Sequence, residues 1–99
     1  MRVIAKKTLK DFYENSLYSD SKSSLEAWYK EALKANWNNP NQIKEQYTSA
    51  SVVGNNRIVF NIHGNKYRLI VKINYDAQIV FMRFIGTHKQ YDNIDATEI

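Results

Sequence analysis

The sequence contains no cysteine, which removes disulfides, zinc–thiolate sites and a thiol nucleophile from consideration. That absence fits a reducing compartment. Long apolar runs are missing as well. The first, Val3-Ile4-Ala5, is three residues long, far short of a signal-peptide core, and no stretch approaches the roughly 20 apolar residues that span a bilayer. The expectation is a soluble, cytoplasmic protein with no membrane contact. No glycine-rich phosphate loop and no serine elbow occur, and no His/Asp/Glu cluster has metal-ligand spacing, so neither a metal nor another cofactor is expected. Internal repeats, low-complexity tracts and linkers are also absent. A chain of 99 residues can bury one core, so a single domain over residues 1–99 is expected.

The charge that is present is unevenly placed. Before residue 57 there are eight basic and six acidic residues. From Arg57 to Lys89 there are six basic residues (Arg57, Lys66, Arg68, Lys72, Arg83, Lys89) against one acid, Asp76. After Lys89 only Asp92, Asp95 and Glu98 are charged. A basic middle-to-late region points to a polyanion, most simply nucleic acid.

Periodicity places helices first. Leu9, Phe12, Tyr13 and Leu17 mark a helix from Lys7 to about Ser16, following a short strand at Val3–Ala5. After the polar break Ser19–Lys22, Ser23 and Glu26 have the spacing of a capping box. They open a second helix to about Lys34, with Leu25, Trp28, Tyr29, Ala32 and Leu33 on one stripe. Asn39-Pro40 starts a short helical turn reaching Tyr47, and Ser49–Asn56 shows no regular pattern. The period then becomes two. Arg57–Ile62 is a strand, His63-Gly64-Asn65 a turn, and Lys66–Asn74 a strand with Tyr67, Leu69, Val71 and Ile73 on one face. Tyr75–Gln78 turns again, Ile79–Ile85 is a third strand, and a short helix or turn follows Gly86-Thr87. The last residues are expected to be loose. Helices followed by a meander indicate α+β: two N-terminal helices on a twisted antiparallel sheet of three to four strands.

Arg83 interrupts an apolar strand, where alternation puts it with Ile79, Phe81 and Ile85. An unpaired guanidinium cannot stay buried there, so it needs a carboxylate such as Asp92, a phosphate or an exit to solvent. Arg68 lies on the polar face of the neighbouring strand. Arginine forks suit phosphodiesters and the charge that grows in phosphoryl transfer. His88 and Tyr91 follow directly, three residues apart and so on one face of a helical turn. Cleaving RNA without metal needs a base for the 2′-hydroxyl, a cation for the phosphorane and an acid for the 5′-oxygen. Arg68, Arg83, His88 and Tyr91 contain those functions, with the base and acid roles open between His88 and Tyr91. Arg57, Lys66 and Lys89 are basic candidates for contacts along the RNA. His63, at a hairpin tip, reads as a surface residue, and Tyr67 as packing or as a base-stacking platform.

Arg57-Ile58-Val59-Phe60-Asn61-Ile62-His63-Gly64-Asn65-Lys66-Tyr67-Arg68-Leu69-Ile70 and Phe84-Ile85-Gly86-Thr87-His88-Lys89-Gln90-Tyr91-Asp92 resemble two segments of HigB-type toxins, and Ile4–Lys10 is similar to their opening. The resemblance covers nearly the whole chain. It implies a RelE/ParE-superfamily fold and a metal-independent mRNA interferase of a type II toxin–antitoxin pair, cutting mRNA on the ribosome and inhibiting translation. It further implies a HigA-type helix-turn-helix antitoxin as partner, with operator DNA reached only through that antitoxin. Residue by residue it carries over Asn65, Arg68, Thr87, His88, Tyr91 and Asp92, with Asn65, Thr87 and Asp92 as RNA contacts. Two other readings stand beside it: a ParE-like toxin that binds DNA gyrase, and an RNA-binding module without catalysis.

Overall fold

The computed structural model describes residues 1–99. Strand β1 (Arg2–Ile4) leads into helix α1 (Lys6–Glu14), and a 3-10 segment (Ser16–Ser21) joins it to α2 (Lys22–Lys34). Helix α3 (Pro40–Gln46) is followed by strands β2 (Ser51–Val53), β3 (Arg57–Ile62), β4 (Tyr67–Asn74) and β5 (Ile79–Thr87), and by the single-turn helix α4 (His88–Tyr91). The strands form one sheet in the order β1-β5-β4-β3-β2.

The α+β class and the β3–β4–β5 meander agree with the sequence reading, but the sheet is larger than three to four antiparallel strands. Strand β1 lies parallel to β5, with Val3 opposite Val80, so the sheet is mixed. Ser51–Val53, in the stretch that shows no regular pattern, pairs antiparallel with β3. It is an edge strand of three residues with Val52 half exposed, too short and too polar in its surroundings to leave a period.

The turns follow from backbone freedom. His63 and Gly64 have φ of 54° and 66°, the left-handed region that glycine enters without strain. At the second turn Gln78 has φ of 58°, and the Asn74 side chain accepts from the Ala77 amide at 3.0 Å. Alternation along β4 then sends Tyr67, Leu69, Val71 and Ile73 into the main core, against Leu9, Leu25, Trp28 and Ala32 of the helices. Trp28 and Trp37 pack on Phe60 with ring centroids 5.4 and 6.3 Å away.

The helix boundaries depend on capping. At α3, Asn39 accepts from the Gln42 amide at 3.0 Å and Pro40 stands at the start, where its missing N–H costs nothing. At α2 the Ser23/Glu26 box does not form. The chain arrives already helical from the 3-10 segment, with Ser21 at φ −79°, ψ −14°, and a capping serine needs an extended residue there. Ser21 is instead buried, donating to the Tyr18 carbonyl at 2.6 Å. The other end of α2 is closed by the Met1 amino group, which donates to the Ala32, Leu33 and Ala35 carbonyls at 2.9, 2.9 and 2.7 Å. A cation there meets both the orphan carbonyls and the negative end of the helix dipole.

The sheet has a second buried face. Val59 and Ile70 pair across β3 and β4 and point away from the helices, yet they are 3% and 0% exposed. The segment after α4 returns to the opposite end of the sheet, where Thr97 O accepts from Asn55 Nδ2 at 3.0 Å and Ile99 O accepts from Arg57 Nη2 at 2.8 Å. The last residues are therefore packed rather than loose.

One polar clamp links the helical layer to the meander. Asp20 accepts from the Tyr67 hydroxyl and from Lys66 Nζ, 47 and 46 residues away in sequence. Above it Phe12 stacks on Tyr18 at 4.4 Å, and both meet Tyr67 edge-on. The hydrogen bonds from Lys66 and Tyr67 hold the Asp20 carboxyl below its usual range. Its contribution is thus fully present above the ordinary carboxylate value of about 4 and is lost as pH falls through the lowered folded value. We expect Asp20→Asn to flatten the acid limb of the stability profile: melting temperature measured from pH 7 downward should fall less steeply in the variant. Parallel profiles would remove Asp20 from the acid response.

Candidate functional site

The residues singled out in the sequence divide into those the fold gathers at one end of the β4–β5 ladder and those it places elsewhere. Arg68 stands opposite Gly86. Its Nη1 donates to the Asn65 and Tyr67 carbonyls at 2.9 and 3.3 Å, which fixes one prong of the guanidinium. Nε and Nη2 make no hydrogen bond within the chain and are free to grip an anion. The Tyr91 ring lies 6.0 Å from the guanidinium carbon, within cation–π range. Helix α4 carries His88 one turn before Tyr91, and His88 Nδ1 lies 3.3 Å from Asp92 Oδ2. A proton on Nδ1 would be donated to Asp92, leaving Nε2 without a partner in the chain. Arg68 with Tyr91 and His88 with Asp92 are thus two contacts linked through α4, with Asn65 supporting the first through its backbone.

Arg83 is exposed and in no ion pair: of the three fates open to it, the exit to solvent is realised. The sharing of one face with Ile79, Phe81 and Ile85 is not. The β4–β5 register shifts between Ile70, opposite Phe84, and Val71, opposite Met82. Arg83 falls in the gap as the extra residue of a β-bulge, which bends a strand and re-aims its side chains. Beyond the bulge the alternation resets, so Ile85 packs into the helix-side core while Phe81 sits opposite Lys72 on the other face. Arg83 is three residues from Gly86, or roughly 10 Å along the strand.

Two basic candidates lie elsewhere. Arg57 is 9% exposed, with its guanidinium bound to the Ile99 and Asn55 carbonyls; it anchors the final segment and presents no free donor fork to RNA. Lys66 is paired with Asp20 and helps hold the hairpin. Tyr67 is fully buried in the core, which excludes base stacking, and His63 lies 3.8 Å from Asp20 at the hairpin tip. Lys89 is exposed on α4 beside His88. Thr87 is the N-cap of α4. No three His, Asp or Glu side chains converge as a metal site requires, and no helix is long and apolar enough to cross a membrane.

A family profile described as HigB toxin, the RelE-like toxic component of a toxin–antitoxin system, matches residues 21–94. The chain belongs to the HigB toxin family. It is 30% identical to the mRNA interferase toxin HigB of Escherichia coli (strain K12) over 94 residues, covering 93% of this chain and 88% of that relative. The proteins named mRNA interferase HigB in Escherichia coli O157:H7 and Shigella flexneri show the same identity and coverage. The matched span contains the whole linked group, from Asn65 to Asp92.

In this member of the HigB family two supporting residues escaped the sequence reading. Gln90 completes a capping box on α4: Thr87 Oγ1 accepts from the Gln90 amide at 3.1 Å, and Gln90 Oε1 accepts from the Thr87 amide at 2.9 Å. Its signal was present, since Thr87-His88-Lys89-Gln90 has the same spacing as Ser23–Glu26. Gly86 is the other. A Cβ there would lie 2.5 Å from Phe84 Cζ and 2.6 Å from Gln90 Oε1, so the bare backbone is what lets the ring and the amide close over the strand opposite Arg68. Gly86→Ala should displace both and loosen α4. We expect a loss of about 1–3 kcal/mol in urea unfolding; a variant as stable as the wild type would show that the gap closes without strain.

Proposed function

We propose that this chain is an endoribonuclease that cuts mRNA on the ribosome without a metal, as a single RelE/ParE-like toxin domain acting in the cytoplasm and held in check by a HigA-type helix-turn-helix antitoxin. Operator DNA is contacted only through that antitoxin. The observation that carries the reading is the half-free guanidinium of Arg68, fixed by backbone carbonyls and set beside Tyr91, whose helix also carries the His88–Asp92 pair. The curated relatives named mRNA interferases support the substrate.

The chemistry follows from the groups present. The 2′-hydroxyl of the RNA attacks the adjacent phosphorus while one of His88 and Tyr91 takes its proton. The other gives a proton to the departing 5′-oxygen, leaving a cyclic phosphate and a free 5′-hydroxyl. Arg68 and Arg83 balance the charge that builds on the phosphorane oxygens, where fixed cations act in the transition state more than in the ground state. Asp92 positions the imidazole. Asn65, Thr87 and Lys89 border the path of the RNA; Arg57 and Lys66 stand outside the proposal, since their charged ends are engaged within the fold.

Purified protein, programmed ribosomes and a defined mRNA test this. Cleavage by the wild type is expected, with roughly 100-fold or greater loss in Arg68→Ala and in Arg83→Ala at unchanged far-UV circular dichroism. Intact mRNA with the wild type would overturn the reading. Growth arrest with a DNA-damage response and intact mRNA would point to gyrase instead.

A further inference from the structure

The far end of β4 holds a polar hollow that the proposed reaction does not use. It has a volume of about 550 Å³, and Asn38, Asn56, Lys72, Asn74, Tyr75 and Asp76 supply its polar lining. That lies within the roughly 300–1,000 Å³ of small-ligand sites. Strand β3 starts at Arg57, opposite Lys72, so the last residues of β4 run on past their neighbour. Asn56 of the β2–β3 turn and Asn38 of the loop before α3 stand across the gap this leaves.

The residues around the hollow are fixed through their backbones and leave their side chains over. The Asn38 amide N–H donates to Gln42 Oε1 at 2.8 Å. Asn56, at φ of 61°, accepts the Ile73 amide on its carbonyl at 3.0 Å. Neither side-chain amide has a partner in the chain. Asn74 uses Oδ1 on the Ala77 amide and keeps both of its N–H donors. Lys72 is in no ion pair, and Asp76 is the single acid in the lining. A cation beside spare amide donors and acceptors is the set that holds a phosphate and reads the edge of a base.

Lys72 also shares a face with Arg68. Both alternate away from the helices along β4, roughly 13 Å apart. Ile70 between them is fully buried, so a ligand cannot run straight along the strand. Arg83 is exposed between the register positions of Ile70 and Val71 and marks the open way round. We propose that the hollow is a second nucleotide subsite for the same RNA. It takes a nucleotide flanking the scissile one, with the phosphate on Lys72 and the base against the amides of Asn38 and Asn56. The inference rests on the reading of this chain as an mRNA endoribonuclease. The separation from Arg68 exceeds one nucleotide, so the subsite selects where the strand is cut and takes no part in proton transfer at the phosphorus.

The test uses the full chain, programmed ribosomes and mRNAs randomised on both sides of the cleavage point. The wild type is compared with Lys72→Ala and with the double variant Asn38→Ala/Asn56→Gly, each first checked by circular dichroism. Glycine suits the positive φ at residue 56, so the double variant removes the amides without straining the turn. We expect Lys72→Ala to raise KM about tenfold for every sequence at unchanged kcat, with a salt dependence shallower by about one unit of slope. The double variant should weaken the preference at one flanking position by about fivefold or more and keep the preference at the cut bond. A wild-type KM in Lys72→Ala, or a flanking preference unaltered in the double variant, would overturn the inference and leave the nuclease reading intact. Failure of the wild type to cut would remove both. A free mononucleotide that shifts the NMR resonances of Lys72 and Asn56, with cleavage by both variants unchanged, would identify a small-molecule site and also overturn it.

Discussion

The register of the β4–β5 ladder fixes the rest of the molecule. Strand β5 touches nearly everything: β1 on one side, β4 on the other, α1 against its inner face and α4 at its end. One extra residue at Arg83 divides it into two alternations. Before the bulge Val80 and Met82 face the helices; after it Ile85 does. Without the bulge, strict alternation would bring Ile85 out of the core and turn Gly86 toward the helices, and one slip of this kind exchanges the faces of every later residue. The same irregularity sets Gly86 opposite Arg68, which gives α4 its place, and leaves Arg83 outside the ladder and in solvent.

Burial on both faces of β4 is what that register makes possible. Leu69 and Val71 belong to the helix-side core, and Ile70 between them is equally buried on the other face. Strand β4 is therefore a stiff central beam, and Arg68 projects from it near the end where Tyr67 is anchored to Asp20. A guanidinium that must meet a developing charge to within a fraction of an ångström is better carried by such a strand than by a loop. The mobile parts of its side chain are restrained further, by two carbonyls on one prong and the Tyr91 ring.

Legibility in the sequence followed the range of the interactions. The meander was readable because its alternation and its turn residues are local: Arg57–Ile62 has the same bounds in the structure, and His63-Gly64 does turn. The helix of residues 40–46 was readable from Asn39-Pro40 alone. What failed needed partners far away in the chain. Ser51–Val53 is a strand only because β3 offers it an edge. Arg57 looked like a free cation because its acceptor, Ile99 O, is 42 residues distant. Lys66 looked free because Asp20 sits in a connecting turn of the helical half. The bulge at Arg83 has no local mark, since only the pairing partner reveals an unpaired residue. The candidate site was legible to the extent that it is contiguous, as in Thr87–Asp92, or carried by a family motif, as in Asn65 and Arg68.

Arg68 is insulated from the helical side of the protein. The helical layer is attached to the sheet through a rigid aromatic core, Trp28 and Trp37 against Phe60, and through the Asp20 clamp. Densely packed cores of this kind transmit little continuous deformation, so strain on the helices has no soft path to Arg68. The exposed edge is β2, a strand of only three residues, too short to pair well with an added strand. The other edge, β1, is tied down by the Met1 amino group on α2. Both edges are therefore poor templates for strand addition, and β4, between them, keeps its register.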